Sequence, residues 1–412
     1  MTEKLSMRTA LDLAIESGAR FLELPAHDTP AGGRAVYVPQ QFCEYVERLP
    51  ECREFEGKLL NSGMGASTLQ PFALANALIQ RSLEQGTESA AQAFEDFFRS
   101  DYLPSVEIVM LSGVKVTEKV ELMDGVFLAP IDDVPSSTVR WFLSQEARTT
   151  LKMHFPDFNS LGALPAGAVL YRNINLHPKY IAPLQPGEFR PIREGAQTLH
   201  QVARLLALIG PSSPHVFRAF FELRDGELLK GHSGYSWSMT SEETRVQSHV
   251  SVGGGEIRDL VPIIRAYFEL NESVRRRLDV PLHRLNEAVR HQTAVDRALD
   301  LGIALESLLL PGNVKDQLTL QFRLNGAWLL GSDVAHRKEL NEKLKVLYSL
   351  RSKAAHNGKF SSKEGNVEDV LKDGLAFCAK AIRKIILEGG HPRWEDLVLG
   401  AGYVVDAPKA NG

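Results

Sequence analysis

The chain has 412 residues, with 47 Lys and Arg against 51 Asp and Glu, 44% hydrophobic residues and three cysteines. This length supports two or three domains with full-sized cores, and three cysteines without CxxC spacing argue against a disulfide framework or a structural zinc site. The first residues carry charges where a secretion signal needs an apolar core, and no charge-free apolar run reaches about 18 residues. We therefore expect a cytoplasmic protein that does not span a membrane.

Residues 1–103 have mainly helical periodicity. Apolar residues recur at steps of three and four in segments 69–85 and 89–100, which is the spacing of an amphipathic helix. Residues 104–262 instead contain short apolar segments separated by turn residues, which predicts a β-rich region. One helix is predicted within it, near 195–208.

Two Asp-Gly dipeptides predict tight hairpins in the β-rich region. Asp124-Gly125 and Asp225-Gly226 each lie between two apolar segments. This dipeptide suits the positive φ angles of two-residue hairpin turns. We therefore expect a strand on each side of both dipeptides.

Residues 263–390 are typical of a helical bundle. The predicted helices are 281–292, 293–310, 314–330, 335–356 and 367–388. The breaks between them are short, as in connections between antiparallel neighbours. Residues 391–412 are expected to form an appended tail. The predicted fold class is α+β, with a mixed, β-rich N-terminal region (1–262) followed by an all-α C-terminal bundle.

The formal charge of -4 hides an uneven distribution. Residues 274–390 hold 20 Lys and Arg against 14 Asp and Glu, whereas the rest of the chain holds 27 against 37. The positive excess gathers in 337–363, where eight basic residues accompany two acidic ones. Basic runs are usually solvated faces, but a run around a candidate site also fits a phosphodiester ligand.

This basic stretch contains Arg351 and His356, which are separated by four residues. Arg172 and His177 have the same spacing, but they lie in a segment that alternates like a strand, so we interpret that pair as coincidence. A plainer interpretation also exists for the first pair. Basic side chains near a helix C-terminus complement the helix dipole, and Asn-Gly ends the helix.

Arg351 is centred on the apolar stripe of its predicted helix, between Leu344 and Leu347 at 100° per residue. Glu306 has the same kind of position in the predicted helix 293–310. An unpaired buried guanidinium is unfavourable by several kcal/mol. The two positions therefore predict an ion pair between Glu306 and Arg351, with Arg323 as the competing partner of Glu306.

His356 falls about 140° from Arg351 on an ideal helix, so a straight helix does not bring both side chains to one phosphate. Asn357-Gly358 predicts a C-terminal cap, which places His356 in the last turn, where the geometry can relax. A symmetric dimer that packs this helix against its mate would also place two Arg/His pairs in one cleft.

Segment 295–390, with DLGIALESLLL, LTLQFRLNGAWLL and LKVLYSLRSKAAHNG, resembles the Apea-like branch of the HEPN (higher eukaryote and prokaryote nucleotide-binding) superfamily. In that superfamily an arginine, four to six residues and a histidine form the signature, and the bundle commonly dimerises. Arg351 and His356 match the signature, and Glu306 matches a recurrent acidic position. Ser352 and Asn357 depart from the usual neighbours of the signature residues.

The resemblance implies a metal-independent endoribonuclease of the toxin or phage-defence type, without a cofactor. His356 would act as base or acid, Arg351 would hold the phosphate and stabilise its charge, and Ser352 could still donate a hydrogen bond. We expect the 2′-hydroxyl of the RNA to attack, which leaves a 2′,3′-cyclic phosphate, and we expect DNA to resist cleavage. The RNA-binding lysines are expected to be Lys345, Lys353 and Lys359.

Two other interpretations stay open. The same cleft could bind RNA or a nucleotide without catalysis, while the N-terminal 1–262 region, of sensing or regulatory type, responds to a protein or phage-derived trigger. The bundle could also serve only for dimerisation. Both the endoribonuclease and the non-catalytic binding module would have RNA and a second copy of the chain as partners. No metal is expected in either.

Overall fold

Helices lie at both ends of the chain and a sheet region lies between them, so the fold is α+β as predicted. The computed structural model describes residues 5–22, 35–55, 57–63, 66–133, 167–181, 193–210, 212–230, 236–238, 250–310, 317–360 and 365–406. Among these residues, no helix combines the length and apolar character that crossing a membrane requires.

The N-terminal helices pack around a core of their own. They are α1 (Met7–Glu16), α2 (Gln40–Glu47), α3 (Pro71–Gln85) and α4 (Thr87–Arg99). Short strands lie among them: β1 (Arg20–Phe21), β2 (Val36–Tyr37), β3 (Leu59–Asn61) and β4 (Ala66–Ser67). The apolar stripes of these helices meet at Leu11, Leu74, Leu78 and Phe94, all buried. The helical periodicity predicted for 69–85 and 89–100 is confirmed.

The β-rich region forms a six-stranded antiparallel sheet with the strand order β12-β11-β5-β9-β8-β7. The strands of this region are β5 (Leu103–Ser112), β6 (Val114–Val116), β7 (Val120–Met123), β8 (Val126–Pro130), β9 (Ala168–Leu176), β10 (Tyr180–Ile181), β11 (His215–Leu223), β12 (Ser236–Ser238) and β13 (Val250–Val252). Asp124-Gly125 joins β7 to β8, and Gly125 has a φ of 71°. The first predicted hairpin is confirmed.

The second predicted hairpin is wrong. Asp225-Gly226 does form a turn, with a φ of 86° at Gly226, but the residues after it form further turns and no strand. Leu228 and Leu229 are instead buried in the core of the N-terminal helices. β11 pairs with β5 and β12. Burial of the two leucines among helices therefore outweighs the local hairpin preference.

The C-terminal part is helical almost throughout. One helix, α5 (Arg193–Leu205), lies within the β-rich region. The helices that follow that region are α6 (Gly254–Glu269), α7 (Glu272–Arg290), α8 (Ala294–Leu309), α9 (Leu318–Leu330), α10 (Val334–Asn357), α11 (Val367–Leu387) and α12 (Trp394–Val398). The predicted helix near 195–208 corresponds to α5 and the 3-10 turn after it, Leu206–Ile209. The other predicted bundle helices agree within a few residues, with one exception.

The exception is the helix predicted to begin at Pro281. In the structure Pro281 lies inside α7, which begins nine residues earlier, at Glu272. Proline favours a first helical turn because it lacks an N–H, so the sequence suggested a start there. Val274, Leu278 and Leu282 are buried at steps of four residues, and this stripe extends the helix through the proline.

One hydrophobic core joins the sheet to the C-terminal helices. It includes Leu170 of β9, Leu199 of α5, Leu260 of α6 and Leu305 of α8, all fully buried. The opposite face of the sheet has a smaller core around Ile108. The predicted division into domains near 262 stays a prediction.

The segment after α11 folds back onto the bundle. His391 is buried, its carbonyl accepts from the Asp406 N–H, and Pro392 pairs with Val405 in an isolated bridge. The Tyr403 hydroxyl donates to the Gly390 carbonyl at 2.6 Å. Residues 391–406, expected as an appendage, therefore pack against the bundle, and residues 407–412 lie outside the described part.

Candidate functional site

Helix α10 holds most of the predicted site residues. Asp333 caps its start by accepting the His336 N–H at 2.9 Å. Gly358 ends it in the left-handed conformation, with a φ of 62°, and donates its N–H to the Ala354 carbonyl. A glycine there avoids the steric strain that a side chain would meet. The predicted cap is confirmed, and His356 lies in the last turn.

Arg351 and Glu306 form the ion pair that the sequence predicts. The Nη2 of Arg351 donates to the Oε2 of Glu306 at 3.0 Å, and the two side chains keep 30% and 22% of their exposure. Arg323, the competing partner, instead binds Glu342 at 3.2 Å. The apolar stripe of α10 therefore contains one half-buried guanidinium, which a carboxylate of α8 neutralises.

Gly302 allows Arg351 to pass over α8. A Cβ atom on Gly302 would lie 2.1 Å from the Cγ of Arg351 and 2.9 Å from its Cβ, closer than any real contact. The Arg351 Nε is buried, and among the described residues it finds no acceptor. Because a guanidinium has five N–H donors and Glu306 uses one, Arg351 retains donors for an anion.

His356 lies away from Arg351. Helix α10 is continuous through Asn357, so the two residues are about 140° apart around the helix and about 7.5 Å apart along it. His356 is exposed, whereas Arg351 contacts α8. The predicted relaxation of the last turn does not occur before His356. Within one chain, Arg351 faces α8 and His356 faces solvent, so the two side chains do not share one face of α10.

The predicted RNA-binding lysines accompany His356 rather than Arg351. Measured from Arg351, Lys345 falls at about 120° and Lys353 at about 200°, on either side of His356. Lys345 is exposed and binds Glu342 at 3.4 Å, and Lys353 is half-buried. Lys359 is exposed just beyond the helix. These residues and His356 form what we call the basic face of α10.

The two supporting residues next to the Arg/His pair lie near this face. Ser352 falls at about 100° from Arg351 and is half-buried. Asn357 is the last residue of α10 and is exposed. Neither makes a side-chain hydrogen bond within the described part of the chain that would fix its role.

Packing offsets part of the positive charge of 337–363. Lys343 binds both Glu339, at 3.0 Å, and Asp373 of α11, at 3.2 Å. The Arg337 guanidinium stacks on Trp328, 3.7 Å from the ring centroid. Asp373 of α11 and Glu306 of α8 therefore neutralise part of the positive charge that segment 337–363 has in the linear sequence.

The other Arg/His pair with this spacing belongs to the sheet. Arg172 lies on β9 opposite Glu107 of β5, and its Nε donates to Glu107 Oε2 at 2.7 Å. Burial raises the pKa of Glu107, and Arg172 opposes that shift. His177 follows the end of β9. The predicted strand is confirmed, and the arginine has a structural partner there.

A third arginine and histidine do meet in space, and sequence reasoning missed them. Arg284 and His291 are seven positions apart on α7 and at its C-cap, so they share a face. The Nη1 of Arg284 and the Nε2 of His291 both lie 2.9 Å from the carboxylate of Asp300, which is 4% exposed. Their spacing of six intervening residues indicates a shared face of α7, but it does not reveal Asp300 as their partner. The three residues clamp α7 to α8.

Among the described residues, no group of three or more His, Cys, Asp or Glu side chains could hold a metal ion. Comparisons with protein-family models, with curated proteins and with solved structures find no match for this chain. The function is therefore inferred from the geometry of its own residues.

Proposed function

We propose that the helices α8 to α11 form a HEPN-like bundle and that the chain is a metal-independent endoribonuclease. The observation that supports this most is the half-buried Arg351, which Glu306 holds with donors to spare. A guanidinium held in this way suits bidentate binding of a phosphate.

Each residue has a role in the proposed reaction. His356 removes the proton of the RNA 2′-hydroxyl or protonates the leaving 5′-oxygen, because an imidazole ring nitrogen can accept or donate a proton. Arg351 stabilises the negative charge that grows on the phosphate during attack. Glu306 positions Arg351. The products are a 2′,3′-cyclic phosphate and a 5′-hydroxyl, and DNA is resistant because it lacks the nucleophile.

The separation of Arg351 from His356 makes a homodimer part of the proposal. The proposal requires that α10 meet its mate around a two-fold axis in such a way that the Arg351 of one subunit reaches the phosphate bound at the His356 of the other. The basic face of α10 would then line the same cleft and bind the RNA backbone. The alternative is a cleft that binds RNA or a nucleotide without cleaving it, and the exposed His356 without a described orienting partner favours this alternative.

The experiment is cleavage of labelled RNA in EDTA by the purified chain. We expect Arg351→Ala and His356→Ala to abolish cleavage, and the matched control His336→Ala, an exposed histidine at the other end of α10, to retain it. Loss of cleavage in His291→Ala but not in His356→Ala would move the site to α7. Binding without cleavage by the wild type, weakened by salt, would support the alternative.

A further inference from the structure

A groove of about 660 Å³ lies between α5, α6 and α7. It lies outside the proposed ribonuclease site, where α5 meets the end of α6 and the start of α7. Its size is within the range of pockets that hold cofactor-sized ligands. Its lining is rich in arginine, with Arg204 from α5 and Arg275 and Arg276 from α7.

Two acidic residues in the groove neutralise only two of these three arginines. Glu272 binds Arg276 one helical turn away, on the exposed side of α7. Asp279 lies 3.9 Å from Arg204, a loose pair across the two helices. Arg275 has no ion pair among the described residues, and its Nε is buried without an acceptor there. Arg275 lines the groove, so its terminal N–H groups, unlike the buried Nε, can donate to an anionic ligand there.

The groove also offers an apolar wall and a neutral hydrogen-bonding group. Phe268 of α6 lines it half-buried, and its ring is held edge-on against Tyr267 with centroids 5.4 Å apart. His200 of α5 also lines the groove. Burial, and then Arg204, lowers the pKa of His200, so its imidazole is neutral at physiological pH and can both donate and accept a hydrogen bond.

We propose that this groove binds a nucleoside phosphate, with the phosphate on Arg275 and Arg204 and the base against Phe268. A guanidinium binds phosphate oxygens with paired donors, and an aromatic ring offers a stacking surface to any base. Inorganic phosphate would contact only the two arginines and not Phe268. Because Arg204 and Arg275 lie on different helices, the bound ligand would link α5 to α7 and stabilise the contact between these two helices.

The test measures binding of a fluorescent ATP analogue to the full chain, with ATP and inorganic pyrophosphate as competitors. We expect Arg275→Gln to weaken binding by about tenfold or more and Phe268→Leu to weaken it severalfold. The matched control Arg265→Gln changes an exposed arginine of α6 outside the groove and should bind as the wild type does. ATP should compete better than pyrophosphate.

Three results would overturn the proposal: no binding by the wild type at about 1 mM nucleotide, equal binding by Arg275→Gln and Arg265→Gln, or equal competition by pyrophosphate and ATP. Thermal unfolding of each variant checks that it is folded. If Arg275→Gln does not fold, Arg204→Gln tests the same phosphate contact from the other helix. The binding assay uses no RNA, so its outcome is independent of the proposed ribonuclease activity.

Discussion

The guanidinium of Arg351 reaches the carboxylate of Glu306 at 3.0 Å by crossing α8 directly above Gly302. The position of the arginine therefore depends on two residues of α8. The carboxylate of Glu306 binds its guanidinium, and Gly302 has no side chain that would collide with the arginine stem. Both are in place, so Arg351 stays half-buried in the apolar stripe of α10.

Gly302→Ala should displace Arg351. The new Cβ would lie 2.1 Å from the Arg351 Cγ, so the stem must move or the helices must separate. Overpacking of this kind destabilises by about 1–3 kcal/mol. Urea unfolding measures the loss, and RNA cleavage should fall with it. The control Gly255→Ala adds a Cβ with no atom within 4 Å, so it should keep or slightly raise stability, by up to about 1 kcal/mol, and should leave RNA cleavage unchanged. A Gly302→Ala chain with wild-type stability would contradict this close contact.

Glu306→Ala should lower the free energy of unfolding. It leaves the half-buried Arg351 without its carboxylate, while the Arg351 Nε already lacks an acceptor in the described structure. Removal of one partner of such a pair destabilises by about 1–3 kcal/mol. Glu306→Gln keeps an acceptor oxygen, so its free energy of unfolding should fall less than that of Glu306→Ala. The control Glu339→Ala removes an exposed carboxylate of α10 and should stay within about 0.5 kcal/mol of wild type. Equal losses for Glu306→Ala and Glu339→Ala would contradict the pair.

The clamp at Asp300 should contribute to stability. Asp300→Asn removes the charge that Arg284 and His291 share, and because Asp300 is buried, the loss should be about 1–3 kcal/mol in urea unfolding. Glu269→Gln, an exposed change on α6, is the control. If Asp300→Asn keeps full stability but loses RNA cleavage, the three residues belong to a reaction site and not to a clamp.

His391 should make the fold sensitive to acid. Burial, with a smaller effect of Arg277, lowers the pKa of His391 to about 3, while an unfolded histidine titrates near 6.5. Between these values the unfolded chain binds more protons than the folded one. The free energy of unfolding should therefore fall as the pH falls from about 6.5 towards 3, with a slope from this group of up to about 1.4 kcal/mol per pH unit.

The test compares the pH dependence of urea unfolding in His391→Leu and in His283→Leu, an exposed histidine of α7. In His391→Leu the free energy of unfolding should fall less steeply below about pH 6.5, because one titrating group is removed. His283→Leu should keep the wild-type pH dependence. Burial also lowers the pKa of His215, to about 4, so some slope should persist. An acid slope in His391→Leu equal to that of the wild type would contradict the assignment.

The sequence was sufficient for features that depend on one helix. The stripe position of Arg351 and the cap at Gly358 follow from local periodicity and local conformation, and both are confirmed. The close contact at Gly302 and the convergence on Asp300 depend on how two helices pack, which no spacing within one helix reveals. The turn at Gly226 was predicted correctly as a turn but wrongly as a tight hairpin, because Leu228 and Leu229 are buried among the N-terminal helices and β11 pairs with β12 only from Ser236.

The central claim is that Arg351 and His356 act together across a dimer on RNA, and mixing two inactive variants tests it most directly. Arg351→Ala and His356→Ala are co-refolded or co-expressed at equal amounts, and RNA cleavage is measured in EDTA. If each cleft takes its arginine from one subunit and its histidine from the other, half of the dimers are mixed and each restores one of two clefts. We therefore expect the mixture to cleave RNA at about a quarter of the wild-type rate, with 2′,3′-cyclic phosphate ends, and neither variant alone to cleave it. An inactive wild type, or a mixture as inactive as its components, would contradict it.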